Sequence, residues 1–511
     1  MKTNELRKTM TMAAAAATLT CHAADLTVTQ ATNLTADASY GSVYVNAPLT
    51  LTGAKLTLTG SGLYLPGENG VDASLTATGG GTLGFIGSPE IFIGERSGKG
   101  HMTVQGNMDF NTYHLTVGGS AVVDDTGYID FLRIQSGLMS DGQLTRIYVD
   151  RWTSYKKRPA RVLFNGSSAM LALRPSTEWF LWADSASASW VFEGINGADV
   201  MFGMSGWWSA PTYKNLLHGN TKVKFRTQGD CDVVFLTPDS SHKHAFVVNY
   251  STNQVEWTHS GATVISNGCI LRATADYALP NGPQTGSIAL RGMDARAVPV
   301  LDLCGTTQIA NGVVDSSPAG AGTITNSSAT AATLVLGAHN QDCDLVIGRV
   351  SQGVTIEKAG SGVLTVVATN LPSVNVTGGA FMVSGANLSC DGLAQNGGAV
   401  GVVSGATLDL SGAPSGSNAL SHIAVTDGAG GGTFRGATLA ASGVIDLSTA
   451  TPTAEGFGED TLAVSFANCA NPENIQNWTV RVNGAGGNSL GAKISGGNLR
   501  IGKTATVIMM R

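Results

Sequence analysis

A chain of 511 residues is long enough to bury a large core, yet only 13% of it is charged and 66 residues are glycine, about half the usual charge and nearly twice the usual glycine. Few Glu, Lys and Arg among many Gly, Thr, Ser and Val argue against helices and for an all-β chain. A formal net charge of -6 excludes a broadly basic, nucleic-acid-binding surface.

Residues 1–23 open with Lys2, Arg7 and Lys8, continue through an apolar run from Met10 to Leu19, and reach small residues at Ala23. That is the plan of a secretory signal peptide, and it predicts a mature chain that is secreted or held at the outer cell surface. Thr18-Leu19-Thr20 before Cys21 makes a poor lipoprotein box. No later run reaches about 18 uninterrupted apolar residues, so no membrane-spanning helix is expected.

Strand signals begin at once. In "LTLTGAKLTLTGSGLYLPG" (49–67), Leu49, Leu51, Leu56, Leu58, Leu63 and Leu65 take one face, and Thr50, Thr57 and Tyr64 the other. The stretch from Ile91 to Asp125 reads in the same way. Short strands separated by Gly-rich turns, without a proline-rich or charged linker, predict a β-solenoid: one coil cannot bury its apolar side alone, so the motif recurs. Asp124, Asp125 and Asp130 hold carboxylates of the kind that bind calcium in β-helical polysaccharide lyases, but they read more simply as a turn before a strand.

The middle of the chain is different. Seven of the eight tryptophans lie between Trp152 and Trp257, beside the basic cluster Lys156, Lys157, Arg158 and Arg161, which reads as a solvated loop. Trp179, Trp182, Trp207 and Trp208 are the candidate glycan-binding residues, because flat aromatic faces stack on sugar rings; core packing is the simpler reading. His242 and His244 on one side of a strand, with Asp239 near, fall short of a metal site for want of a third ligand.

From Trp257 to Leu388 the chain resembles the autotransporter-associated β-strand repeats. "HSGATVISNGCILRATADYALPNG" (259–282), followed by "VLDLCGTTQIANGV" (300–313), is similar to one repeat unit. "VTIEKAGSGVLTVVA" (354–368) resembles the repeat's core, with Lys358, Gly360, Gly362, Leu364 and Val366 at the Lys-x-Gly-x-Gly-x-Leu-x-Leu positions. The resemblance implies an exported bacterial protein with a right-handed parallel β-helix and brings no catalytic residue. It also implies a C-terminal membrane barrel; the aromatic-poor end "LRIGKTATVIMMR" does not read as one.

Six cysteines follow the leader: Cys231, Cys269, Cys304, Cys343, Cys390 and Cys469. Their long spacing suits small apolar residues in successive coils better than a disulfide framework, although the even count leaves disulfides open. Near the end, Gly487-Asn488-Ser489-Leu490-Gly491 spells a nucleophile elbow, which has mechanical meaning only between a strand and a helix.

The organisation expected is therefore a signal peptide (1–23), an N-terminal β-solenoid (24–145), a Trp-rich middle with longer loops (146–255), the β-strand repeats (256–410), and a C-terminal β-solenoid with a cap (411–511). The fold class expected is all-β, a right-handed parallel β-helix or β-solenoid. The function expected is structural or adhesin-like, without catalytic residues, cofactor or metal. The alternatives are a polysaccharide lyase-like β-helix enzyme and a glycan-binding module. A glycan or a host or cell-surface component is the partner class, and no nucleic acid is expected.

Overall fold

The computed structural model describes residues 23–60, little beyond the strands from 62 to 257, and 258–503 apart from 267, 293–297, 319–320, 385–386, 404, 426–431, 448–463, 483–484 and 487–489. From 84 to 231 and from 236 to 256 it describes strand backbones alone. The chain is a nearly all-β solenoid of stacked parallel strands. It divides into two compact units, Met1–Ser205 with His218–Lys224, and Gly206–Leu217 with Phe225–Arg511.

In the first unit each coil contributes three short strands, and each strand pairs in parallel with its counterpart in the next coil. Leu26–Val28 pairs with Val43–Val45, Thr32–Leu34 with Leu49–Thr52, and Ala38–Tyr40 with Lys55–Leu58. The series runs on through Gly62–Leu65, Glu90–Ile93, His114–Val117, Trp152–Ser154 and Leu181–Ala183 along one side. Alternation sets which residues fill the interior. Val43, Val45, Leu51, Leu56, Leu58, Leu63 and Leu65 are all 0% exposed, while Thr50, Thr57 and Tyr64 lie on the other face. Each such leucine contributes roughly 1.5–3 kcal/mol when fully buried, which is what makes stacking favourable over a single coil.

The second unit repeats the plan. Val354–Lys358 pairs with Ala332–Leu336 on one side and Val374–Val376 on the other. Val363–Ala368 pairs with Cys343–Ile347 and Ala380–Val383. Cys269, Cys343 and Cys390 are buried, and the five described cysteines are all free thiols. Burial pushes the Cys343 thiol up to about 11 and Cys390 up to about 12, so both stay protonated at neutral pH.

Turn acids and amides tie coil to coil. The Oδ1 of Asp25 accepts the N–H of Ser42 at 2.7 Å, Asp37 that of Lys55 at 2.8 Å, Asp276 that of Thr307 at 2.7 Å, and Asp342 that of Val363 at 2.7 Å. Asn340 does the same for Ser361 at 2.9 Å. Corners break the strand ladder, and these side chains satisfy the backbone donors released there.

At its C-terminal end the parallel ladder stops. Leu490–Ser495 and Asn498–Lys503 form an antiparallel hairpin, and Ser465 pairs antiparallel with Asn498. The 3₁₀ turn Pro472–Asn477 precedes it and buries Ile475. Trp478 follows, buried, donating its indole N–H to the carbonyl of Ala440 at 2.9 Å. The strand Thr438–Leu447 makes room for it: register jumps from Leu420↔Leu439 to His422↔Val444, leaving extra residues in the longer strand. A Cβ on Gly443 would lie 2.6 Å from the indole ring.

Candidate functional site

The corner at 354–368 is where the sequence motif and the geometry meet. Alternation in Val354–Lys358 directs Val354, Ile356 and Lys358 inward, and all three are buried. The Lys358 ammonium, at a fully buried residue, donates to the carbonyl of Ala359 and to that of Gly360 at 3.0 Å. Burial lowers its pKa, opposed at neutral pH by the neighbouring Asp342 carboxylate. The lysine thus clamps carbonyls of its own turn that have no strand partner.

The glycines of the motif answer to close approach. Gly360 holds φ +66, and a Cβ there would lie 2.1 Å from the carbonyl oxygen of Gly337 in the preceding coil. A Cβ on Gly362 would lie 2.2 Å from that of Gln341. Leu364 and Val366 then enter the core at 0% exposure. Every residue of the Lys-x-Gly-x-Gly-x-Leu-x-Leu pattern therefore has a packing role.

Among the tryptophans singled out from sequence, Trp179, Trp207 and Trp208 lie outside the described residues. Trp182 lies on the strand Leu181–Ala183, of which the backbone is described. Its register position continues the file Thr27, Tyr44, Tyr64, Phe92, Thr116, Thr153, Trp182 along one side of the first unit. Tyr44 and Tyr64 stack on the outer face with ring centroids 4.9 Å apart and planes within 6°. Parallel stacking contributes about 0.5–1.5 kcal/mol and covers one face of each ring. The pair reads as a ladder that locks adjacent coils.

Most of the other sequence candidates fall outside the described residues. Asp124, Asp125, Asp130, Asp239, His242 and the cluster Lys156, Lys157 and Arg158 lie outside the described residues. His244 opens the strand His244–Val248, and Arg161 lies on Pro159–Asn165. Leu490 and Gly491, the last two residues of the elbow pattern, begin a hairpin strand and not a helix. Among the described residues no group of three or more His, Cys, Asp or Glu is placed to hold a metal ion, and no helix is long and apolar enough to cross a membrane.

Two polar groupings were not foreseen. Arg272 Nε meets Asp302 Oδ2 at 2.5 Å, and Asp302, 1% exposed, also accepts the N–H groups of Cys304 and Ser327 at 3.0 Å. With its oxygens engaged, the carboxylate anchors a turn. His259, 1% exposed, shares a 2.9 Å hydrogen bond between its Nε2 and Thr263 Oγ1, while its Nδ1 is buried without a partner. Burial lowers its pKa from 6.5 to about 4. A group whose folded pKa lies below its unfolded value favours the fold most above the unfolded pKa, so stability is lost as pH falls from 6.5 towards 4. We expect urea unfolding at pH 4 to show a loss of roughly 3 kcal/mol relative to pH 7 from this group, and His259→Gln to remove most of it. An equal acid loss in the variant would assign the effect elsewhere. His422, whose pKa burial also lowers, adds in the same direction.

No family model, curated protein or solved structure matches the chain.

Proposed function

We propose that this chain is an exported bacterial β-solenoid, secreted or displayed at the cell surface, with a structural or adhesin-like role and no catalytic activity, built on autotransporter-associated β-strand repeats. The observation that carries the reading is the corner at 354–368. Its recurring motif is given over to shape: Lys358 clamps carbonyls, Gly360 and Gly362 admit the neighbouring coil, and Leu364 and Val366 fill the core. Asp37, Asp276 and Asp342 each commit a carboxylate oxygen to a backbone N–H at a corner, a structural use of acidic side chains that accords with this reading. The basic start, apolar run and small residues of 1–23 support export.

Expression of the full chain in a Gram-negative host, followed by cell fractionation and sequencing of the mature N-terminus, tests the export reading. Processing after Ala23 and recovery outside the cytoplasm are expected; an unprocessed cytoplasmic chain would overturn it. Incubation with acidic polysaccharide and calcium tests the non-catalytic reading. No unsaturated product is expected, and its release would establish the lyase alternative.

A further inference from the structure

We infer that Tyr277 is a sugar-stacking platform, a contact site for a neutral glycan on the second unit. Tyr277 is the one exposed large apolar side chain among the described residues, 44% accessible. Its backbone also lies in the left-handed region, at φ 58. That conformation is natural for Gly and tolerable for Asn, and it is an outlier for a bulky residue. Among the described residues the other positive-φ positions that are not glycine are three asparagines and Cys304.

The surroundings hold this backbone rigidly. The N–H of Tyr277 donates to Thr307 O at 2.9 Å, and Thr307 N–H donates to Asp276 Oδ1 at 2.7 Å. Trp257 Nε1 donates to Ala278 O at 3.1 Å, Leu279 N–H to Gln308 Oε1 at 3.1 Å, and Gln308 Nε2 to Ala275 O at 2.7 Å. His339, from a later coil, reaches Asn281 O. The bend also has a structural use, since it ends strand pairing beside Thr307–Ala310, the first strand of a five-stranded sheet. That use explains a glycine or an asparagine. It does not explain a phenol ring held outward.

An exposed tyrosine ring on a backbone held this firmly offers an apolar face with a hydroxyl at its edge, the surface that packs against the C–H face of a pyranose. Its exposed sequence neighbours, Thr274, Asp276, Pro283 and Gln284, carry no cation, which favours a neutral glycan over an acidic one. Backbone strain that the scaffold over-determines, at a solvent-facing aromatic residue, is the pattern expected of a binding position. The platform adds a ligand to the proposed solenoid and does not depend on export.

The test is binding of the full chain to immobilised neutral oligosaccharides of glucose, mannose and N-acetylglucosamine, repeated with Tyr277→Phe, Tyr277→Ala and Tyr277→Asn. Wild type and Tyr277→Phe are expected to bind alike, and the other two to bind at least about tenfold more weakly. Tyr277→Asn is expected to melt at or above the wild-type temperature, because Asn suits the left-handed backbone better. Failure of wild type to bind any of these sugars, equal binding by all four proteins, or a loss in Tyr277→Phe as large as in Tyr277→Ala would each overturn the proposal. So would a Tyr277→Asn chain that melts well below wild type, since the ring would then be a packing element.

Discussion

Gly360→Ala is expected to destabilise the second unit by about 2–5 kcal/mol. Two costs combine: roughly 1–2 kcal/mol for placing a side chain in the left-handed backbone, and roughly 1–3 kcal/mol for the overpacking that a Cβ imposes. The second cost is unavoidable because the obstacle, 2.1 Å away, is the carbonyl oxygen of Gly337, a backbone atom of the preceding coil. Gly405→Ala separates the two. Gly405 has a similar φ of +78, but nothing lies within 4 Å of its added Cβ, so about 1–2 kcal/mol is expected there. Denaturant unfolding of both variants, with amide exchange at Leu364 and Val366 as a local readout, measures the difference. Equal losses in the two would mean that coils do not approach closely at Gly360, and the account of the motif would fail.

Trp478→Ala is the second large effect, with an expected cost of about 3–5 kcal/mol. The indole seats the 3₁₀ turn and the terminal hairpin on the last coils through its bond to Ala440 O. Its loss should also uncover a parallel strand edge, so self-association by light scattering should rise. Gly443 gives the internal control. Gly443→Ala places a Cβ 2.6 Å from the indole and 2.4 Å from the backbone carbonyl oxygen of Ser421, so it should be costly in the wild type and clearly less costly, though not neutral, when Trp478 is already alanine. A double-mutant cycle in unfolding free energy reads this coupling. Additive losses would show that the indole does not occupy the widened strand.

Much of the fold was legible because the signals are local and have a period of two. The Leu–Thr alternation of 49–65 named the interior residues one by one. Lys358 was legible too: in Val-Thr-Ile-Glu-Lys the lysine falls on the face of Val354 and Ile356, and only its charge argued against burial. What supplies its partners, the carbonyls of its own turn, appears only once the chain has bent. Cys269, Cys343 and Cys390 fill interior positions as small apolar residues would.

Other features had no local signal. Asp302 in Leu-Asp-Leu reads as an outward residue, and it is buried by the turn at Ser327, which comes from the next coil. Nothing in Ala-Asp-Tyr-Ala-Leu-Pro announces a positive φ at Tyr277, because that bend is set by hydrogen bonds to Thr307 and Gln308 in the coil that follows. Gly443 is one glycine among 66 until Trp478 is placed over it.

The central claim is that the second unit coils about one axis with its strands in parallel register. The file Asp344, Thr365, Met382, Gly401, Ala424, Asp446, Arg481 climbs one side of the solenoid in single rungs. At about 4.8 Å per rung, its ends lie about 29 Å apart. Pulsed electron paramagnetic resonance between nitroxides at the exposed positions 344 and 481, attached without thiol chemistry so that the buried cysteines stay intact, measures that distance directly. A narrow distribution centred near 3 nm, allowing for the tethers, is the result the account predicts; a broad distribution, or a mean near twice that value, would contradict it.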